Sequence, residues 1–159
     1  AGGRLMRFTV GISDLKTATP PDTLITYALG SCVGVCLYDK TKCIAGLSHI
    51  LLSNSKINIG HVNEYKYADT AIKMLVEKMI ALGAKKEIIT AKIFGGANMF
   101  KMPGVNIGDN NIEAVKHELK LLDILIIAED TGKNYGRTIE FFAENGQVIV
   151  RTIDKKIIC

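Results

Sequence analysis

Two apolar, β-rich runs joined by a short polar turn constrain this chain most. Val33–Tyr38 (VGVCLY) leads into Asp39-Lys40-Thr41-Lys42, and Cys43–Leu51 (CIAGLSHIL) follows at once. Strand, turn, strand at this spacing predicts an antiparallel hairpin. Its two ends must then lie side by side, so residues just before Val33 meet residues near His49. Ahead of the hairpin, Thr23–Tyr27 reads as a strand broken by Gly30-Ser31, and Phe8–Ile12 as a weak edge strand. The stretch between them, Asp14–Asp22, carries Thr17, Thr19, Pro20 and Pro21 and reads as a loop.

Beyond the hairpin, Ser53–Asn63 reads as a polar loop. Ala68, Ile72, Leu75, Met79 and Leu82 then recur at helical steps, with Gly83 placed to cap the helix C-terminus. Ile88–Phe94 reads as a strand ended by the tight turn Gly95-Gly96-Ala97-Asn98, and Pro103-Gly104 is a further break. A second helix is predicted from Ile112, Val115, Leu119 and Leu122, followed by the strand Ile124–Glu129, apolar through Ala128. Two last strands, Arg137–Phe142 and Gln147–Ile153, flank Asn145-Gly146, a strong hairpin signal. The order ββββ-α-β-α-βββ predicts an α/β protein of the α+β type. One sheet or a β-sandwich, mostly antiparallel, has two main helices packed against it.

The length of 159 residues is that of a single domain spanning 1–159. Met6 reads as a natural start with residues 1–5 as a remnant ahead of it, and 154–159 reads as a tail. Apolar residues make up 48% of the chain, too many for disorder. The longest apolar runs fall far short of the ~20 residues of a membrane span. The net charge of +4 comes from dispersed residues without a concentrated basic stripe, and Trp is absent. Nucleic acid is therefore a poor partner. Four cysteines without a CxxC pair, and no signal-type apolar core at the N-terminus, fit free thiols in a reducing cytoplasm.

Chemistry points first to Gly30-Ser31-Cys32-Val33-Gly34. Its G-x-C-x-G form resembles a nucleophile elbow, but the β-rich segment that follows cannot be the helix an α/β-hydrolase needs. Flanking glycines still allow a sharp turn whose backbone N–H groups, near Gly30 and Ser31, face a developing oxyanion. A nucleophilic Cys32 needs a base. His117 sits on the second helix facing solvent and His61 in the polar loop, whereas His49 ends the strand beside Cys32. The competing reading is a small buried cysteine and a strand-end histidine bonded to backbone. Cys36 and Cys43 read as buried small hydrophobes. Cys32, Cys36, Cys43 and His49 lack paired zinc-ligand spacing, so no metal is expected. Gly95-Gly96-Ala97-Asn98 lacks the elements of a phosphate loop and reads as a turn or a site lining. Gly132–Arg137 alone says only loop.

Several motifs in one order carry a resemblance. These are Ala28–Val35 (ALGSCVGV), Gly46-Leu47-Ser48-His49, Lys66–Ile72, Ala91–Phe100 (AKIFGGANMF), Ile107-Gly108 with Asn111, and Gly136-Arg137. Together they resemble the chemoreceptor glutamine deamidases of the CheD family, over about Gly11 to Ile153. The resemblance implies a catalytic Cys32, His49 seventeen residues later and Thr26 six residues earlier. It also implies an α/β sandwich of deamidase type. Two departures stand out. Ser53 follows Leu52 where the family usually has Pro, and Lys133 follows Gly132 where it often has a second Gly. Both put loop shape and partner choice in question rather than the chemistry.

The implied function is hydrolysis of receptor glutamines to glutamate through a thioester, with glutamyl methyl esters as a related substrate and no cofactor. His49 would take the proton of Cys32 to give a thiolate–imidazolium pair, and Thr26 would orient His49. The implied partners are chemoreceptor cytoplasmic helices and a CheC-type response-regulator phosphatase. Gly95, Gly96, Asn98, Phe100 and Arg137, with the Ser53–Asn63 loop, are candidates for the face that meets them. A monomer without membrane insertion is expected. Two other readings stay open. One is a regulatory module that engages and stimulates a CheC-type phosphatase with weak deamidase activity. The other is a general Cys-dependent amidase or peptidase of small substrates.

Overall fold

The computed structural model describes residues 4–57, 63–99, 104 and 106–159. Among the described residues, ten strands and two α-helices follow in order. They are β1 (Arg7–Thr9), β2 (Leu15–Ala18), β3 (Thr23–Leu29), β4 (Val33–Asp39), β5 (Ile44–Ile50), α1 (Ala68–Ala81), β6 (Thr90–Gly95), α2 (Ile107–Leu121), β7 (Leu125–Thr131), β8 (Arg137–Phe142), β9 (Val148–Arg151) and β10 (Lys156–Ile158). They form two five-stranded sheets, ordered β1-β3-β8-β9-β10 and β2-β5-β4-β6-β7. Both are mostly antiparallel, with parallel pairs only at β1–β3 and β6–β7. The expected α+β class, with two helices laid on β structure, is what the chain adopts.

The second sheet is the middle layer. One face packs Val33, Val35 and Leu37 against Ala71, Ile72 and Leu75 of α1 and Val115 and Leu119 of α2. The other face packs Cys36, Ala45, Leu47 and Phe94 against Leu24, Ile139, Phe141 and Val150 of the first sheet. A sheet covered on both sides has no polar face, which is why β4 and β5 are apolar almost throughout. The predicted β4–β5 hairpin is formed in the register Val33↔Ile50 to Asp39↔Ile44.

α1 buries Ala68, Ala71, Ile72, Leu75, Val76 and Met79, the stripe its spacing predicts, except that Leu82, just past the helix end, is exposed. It comes close to β5 because residue 46 is glycine. A Cβ there would stand 2.8 Å from both Leu75 Cδ1 and Met79 Sδ. Gly83, at φ +110, ends the helix, with its N–H on Ile80 O and that of Ala84 on Met79 O.

Four expectations need correction. The Asp14–Asp22 stretch contains β2, which pairs with β5 before the Pro20-Pro21 turn. The tail contains β10, paired with β9. The apolar β7 is an edge strand, with Leu125 69% and Ile127 54% exposed. Cys43 is a half-buried turn residue at φ 52 rather than a core residue.

One irregularity prepares the site. The β3–β8 pairing shifts register between Thr26 and Leu29, where Ala28 takes φ 54. This bulge adds a residue to the strand, so Thr26 and Leu29 are both buried while Tyr27 and Ala28 between them are exposed.

Candidate active site

Cys32 lies in the loop that carries the chain from β3 in one sheet to β4 in the other. In the hairpin register Gly34 faces His49 and Val33 faces Ile50, so Cys32 stands beside the strand end that bears the histidine. Gly34 has no room for a side chain. A Cβ would sit 3.0 Å from Leu29 Cδ1 and from Ile139 Cδ1. Cys32, His49 and Thr26 are all buried, at 8%, 1% and 0% exposure.

His49 and Thr26 meet across the two sheets. Thr26 Oγ1 is 2.7 Å from His49 Nδ1 and 2.6 Å from the carbonyl oxygen of Val10. A carbonyl only accepts, so the single hydroxyl proton of Thr26 goes to Val10. The hydroxyl must then accept from His49, which places the imidazole proton on Nδ1. Nε2 is left with its lone pair, buried and without a hydrogen-bond partner among the described residues. Such an orphaned buried acceptor is costly unless the site uses it. The backbone of His49 is fixed as well, through Ser13 N to His49 O and His49 N to Asp14 O.

The nucleophile loop is held by its carbonyls. Gly30 O accepts from Ala97 N at 2.8 Å, Ser31 O from Asn111 Nδ2 at 2.9 Å, and Cys32 O from Gly96 N at 2.8 Å. In a trans peptide the N–H of the next residue points opposite to the carbonyl. Fixing the Gly30 and Ser31 carbonyls therefore aims the amides of Ser31 and Cys32 the other way. Among the described residues no backbone acceptor takes either amide away from that direction.

Burial sets the charge state. It pushes the Cys32 thiol up, with its own backbone amide pulling only partly back. It pushes His49 down to about 4. Thr26 supplies no negative charge to hold an imidazolium. Burial thus favours a neutral thiol and a neutral imidazole in the resting site.

The other candidates divide by place. Gly95 and Gly96 are supports of the nucleophile loop. A Cβ on Gly95 would stand 2.3 Å from Cys32 O, and one on Gly96 2.3 Å from Ile112 Cγ1. Asn98 is exposed, its amide N on Lys133 O and its side chain toward Asp109. Arg137 is buried. It donates Nε to Asp130 and Nη1 to Gly132 O, and its guanidinium lies 4.6 Å from the Tyr135 ring centroid. It holds the loop before β8 rather than facing outward. His117 is exposed, while His61 and Phe100 lie outside the described residues.

Sequence reasoning gave Asn111 no place in the site. It is 1% exposed, donates Nδ2 to Ser31 O and to Leu51 O at 2.9 and 3.0 Å, and accepts from Ser53 Oγ at 2.9 Å. The available signal was an asparagine one turn before Val115, on the buried stripe of α2. Next to it, Leu52, Asn54, Tyr67, Ile107, Ala114 and His117 line part of a cleft of about 720 Å³. Ser53 and Asn54, from the predicted contact loop, border this cleft.

The family description "CheD chemotactic sensory transduction" matches residues 51–152, a span that begins just after His49. A protein of Clostridium botulinum named "Probable chemoreceptor glutamine deamidase CheD" is 49% identical over 148 residues, covering 91% of each chain. A protein of Syntrophomonas wolfei with the same name is 47% identical over 148 residues, covering 91% of this chain and 92% of its own. Similarity of this depth, over nearly the full length of this chain and of both relatives, shows that the chain belongs to the CheD family.

Proposed function

We propose that this chain deamidates glutamine side chains of chemoreceptors in chemotaxis, with Cys32 as nucleophile, His49 as base and Thr26 as the residue that orients it. The observation that carries the reading is the two-step bond from His49 Nδ1 to Thr26 Oγ1 to Val10 O. It leaves the base lone pair on Nε2, on the strand end beside the cysteine loop. The name shared by the relatives supplies the substrate, and the buried neutral pair supplies the order of events.

Because the resting groups are neutral, the proton leaves Sγ for Nε2 as the C–S bond forms. The amide oxygen becomes an oxyanion facing the amides of Ser31 and Cys32. The imidazolium then protonates the nitrogen, the C–N bond breaks, and ammonia departs. A water gives its proton to Nε2 and attacks the thioester. The C–S bond breaks, Sγ recovers a proton from the imidazolium, and glutamate is released. A glutamyl methyl ester enters the same path with methanol as leaving group. No step calls for a metal or an organic cofactor.

The product carries a negative charge where the substrate had none, which changes repulsion between neighbouring receptor helices. A CheC-type phosphatase is the second partner this reading includes. Among the described residues no helix is long and apolar enough to cross a membrane. This fits an enzyme that reaches receptors from solution.

The test is mass spectrometry of a chemoreceptor cytoplasmic domain after incubation with wild type and with Cys32→Ala. Each hydrolysed glutamine raises the mass by about 1 Da, as –NH2 becomes –OH. The shift is expected with wild type alone. No shift with wild type on a bound receptor would favour the regulatory reading, and an equal shift with both would remove Cys32 from the chemistry.

A further inference from the structure

We propose that Asn111 is a positioning residue for the oxyanion site, acting through the peptide between Ser31 and Cys32; this rests on the Cys32 reading above. Three carbonyls fasten the nucleophile loop, and two of them accept from backbone amides. The middle one, Ser31 O, accepts from a side chain, Asn111 Nδ2. That peptide is planar and trans, so the direction of Ser31 C=O fixes the direction of Cys32 N–H. The amide nearest the sulfur is therefore aimed from α2.

The donor pattern fits asparagine closely. Two carbonyls, Ser31 O and Leu51 O, need two N–H donors from one planar group, and the Ser53 hydroxyl needs an acceptor on its other side. Turning the amide over would set its oxygen against two carbonyl oxygens, so the carbonyls fix its sense and the Ser53 hydroxyl anchors its oxygen. Leu51 lies two residues past His49. One buried side chain thus ties the loop of the nucleophile to the strand end of the base. Backbone contact reinforces the placement. Gly108, in the first turn of α2, lets that helix reach Gly96 and Ala97, whose carbonyls would stand 2.5 Å from any Cβ there.

Oxyanion alignment matters for amide hydrolysis and not for alkylation of a thiol, which forms no oxyanion. That difference supplies the test. Wild type, Cys32→Ala, Asn111→Ala, Asn111→Asp and Ser53→Ala are compared on a receptor cytoplasmic domain for kcat and KM. Cys32 alkylation by iodoacetamide and the thermal midpoint are measured alongside. Both Asn111 variants are expected to lose about 10²- to 10³-fold in kcat, the scale of one oxyanion donor, with KM within about threefold. Alkylation is expected to stay within about threefold of wild type, because SN2 attack needs no such alignment. Ser53→Ala, which removes the anchor on the amide oxygen and loosens the aim of Nδ2, is expected to lose several-fold in kcat.

Wild-type kcat in a folded Asn111 variant overturns the proposal. So does a kcat loss matched by an equal change in alkylation, since that reports collapse of the loop as a whole. If neither Asn111 variant folds, Ser53→Ala decides. Lost kcat with unchanged alkylation supports the proposal, and wild-type kcat overturns it. Full activity in Cys32→Ala would instead overturn the underlying reading of the nucleophile.

Discussion

Thr26 and His49 stand on different sheets, and the hydroxyl of the first receives the Nδ1 proton of the second at 2.7 Å. The bond fixes a tautomer without adding a charge. Its geometry depends on the spacing of two sheets and not on either sheet alone.

Replacing Thr26 should therefore separate hydrogen bonding from shape. Thr26→Val keeps the volume but leaves Nδ1–H without an acceptor, at a cost of about 1–3 kcal/mol in a buried site. The expected loss in kcat is roughly 10- to 100-fold. Thr26→Ser keeps the hydroxyl and should retain most of the rate. Single-turnover deamidation measured by mass spectrometry checks both. Equal rates for Val and Ser would show that the hydroxyl does not hold the base.

The pH profile should report a neutral pair. The neutral imidazole is the active base, and His49 stays neutral down to about 4. Deamidation should hold its rate from neutral pH toward pH 5 and fall only as pH approaches 4. Cys32 is raised by burial, so its alkylation should still be climbing with pH above the usual thiol range. An alkylation rate that is flat across neutral pH would show a preformed thiolate instead.

Stability should carry the same signature. In the unfolded chain His49 binds its proton near 6.5, in the fold only near 4. Between those values the unfolded state holds the extra proton, so its share of stability is complete above about pH 6.5 and is lost as pH falls toward 4. The size is about 3 kcal/mol for a shift of this extent. His49→Gln still donates to Thr26 but does not titrate. Urea unfolding at pH 7 and 4.5 should show a smaller acid loss in the variant, by about 2–3 kcal/mol.

Glycine substitutions should rank by what lies behind them. Gly95 and Gly132 both take positive φ, +100 and +78, but only Gly95 has an atom in the way, Cys32 O at 2.3 Å. Gly132→Ala should cost the backbone term alone, about 1–2 kcal/mol. Gly95→Ala adds a displaced nucleophile loop, costing about 1–3 kcal/mol more and most of the activity. Thermal midpoints and kcat test the order. Equal midpoints for the two variants would mean the loop yields freely.

These contrasts follow how information is distributed in the chain. The β4–β5 and β8–β9 hairpins and the α1 stop were legible because strand, turn and cap are neighbours in sequence. The nearness of Cys32 and His49 came with the first hairpin. β2 and β10 were not legible, because a four-residue and a three-residue strand draw their order from partners elsewhere. β2 pairs with β5 about thirty residues on. β7 misled because an apolar run records composition, not which side of a sheet is covered. Thr26 entered by resemblance alone, since its contact joins two sheets that no local pattern relates. Asn111 entered only as part of the motif order, and its contact was hidden for the same reason, although a polar residue on a buried helical stripe was a visible irregularity.

The bulge at Tyr27-Ala28 lets the strand carry one residue more than plain alternation allows. Side chains along a strand alternate in and out, so without it residues three apart, such as Thr26 and Leu29, would face opposite ways. With the extra residue, Thr26 and Leu29 fall on the same side and the chain arrives at Gly30 ready to cross between sheets. Deleting Ala28 would restore plain alternation, with Leu29 two places after Thr26 and still on its side. What would be lost is the local bend and extra twist with which the strand leaves its sheet toward Gly30.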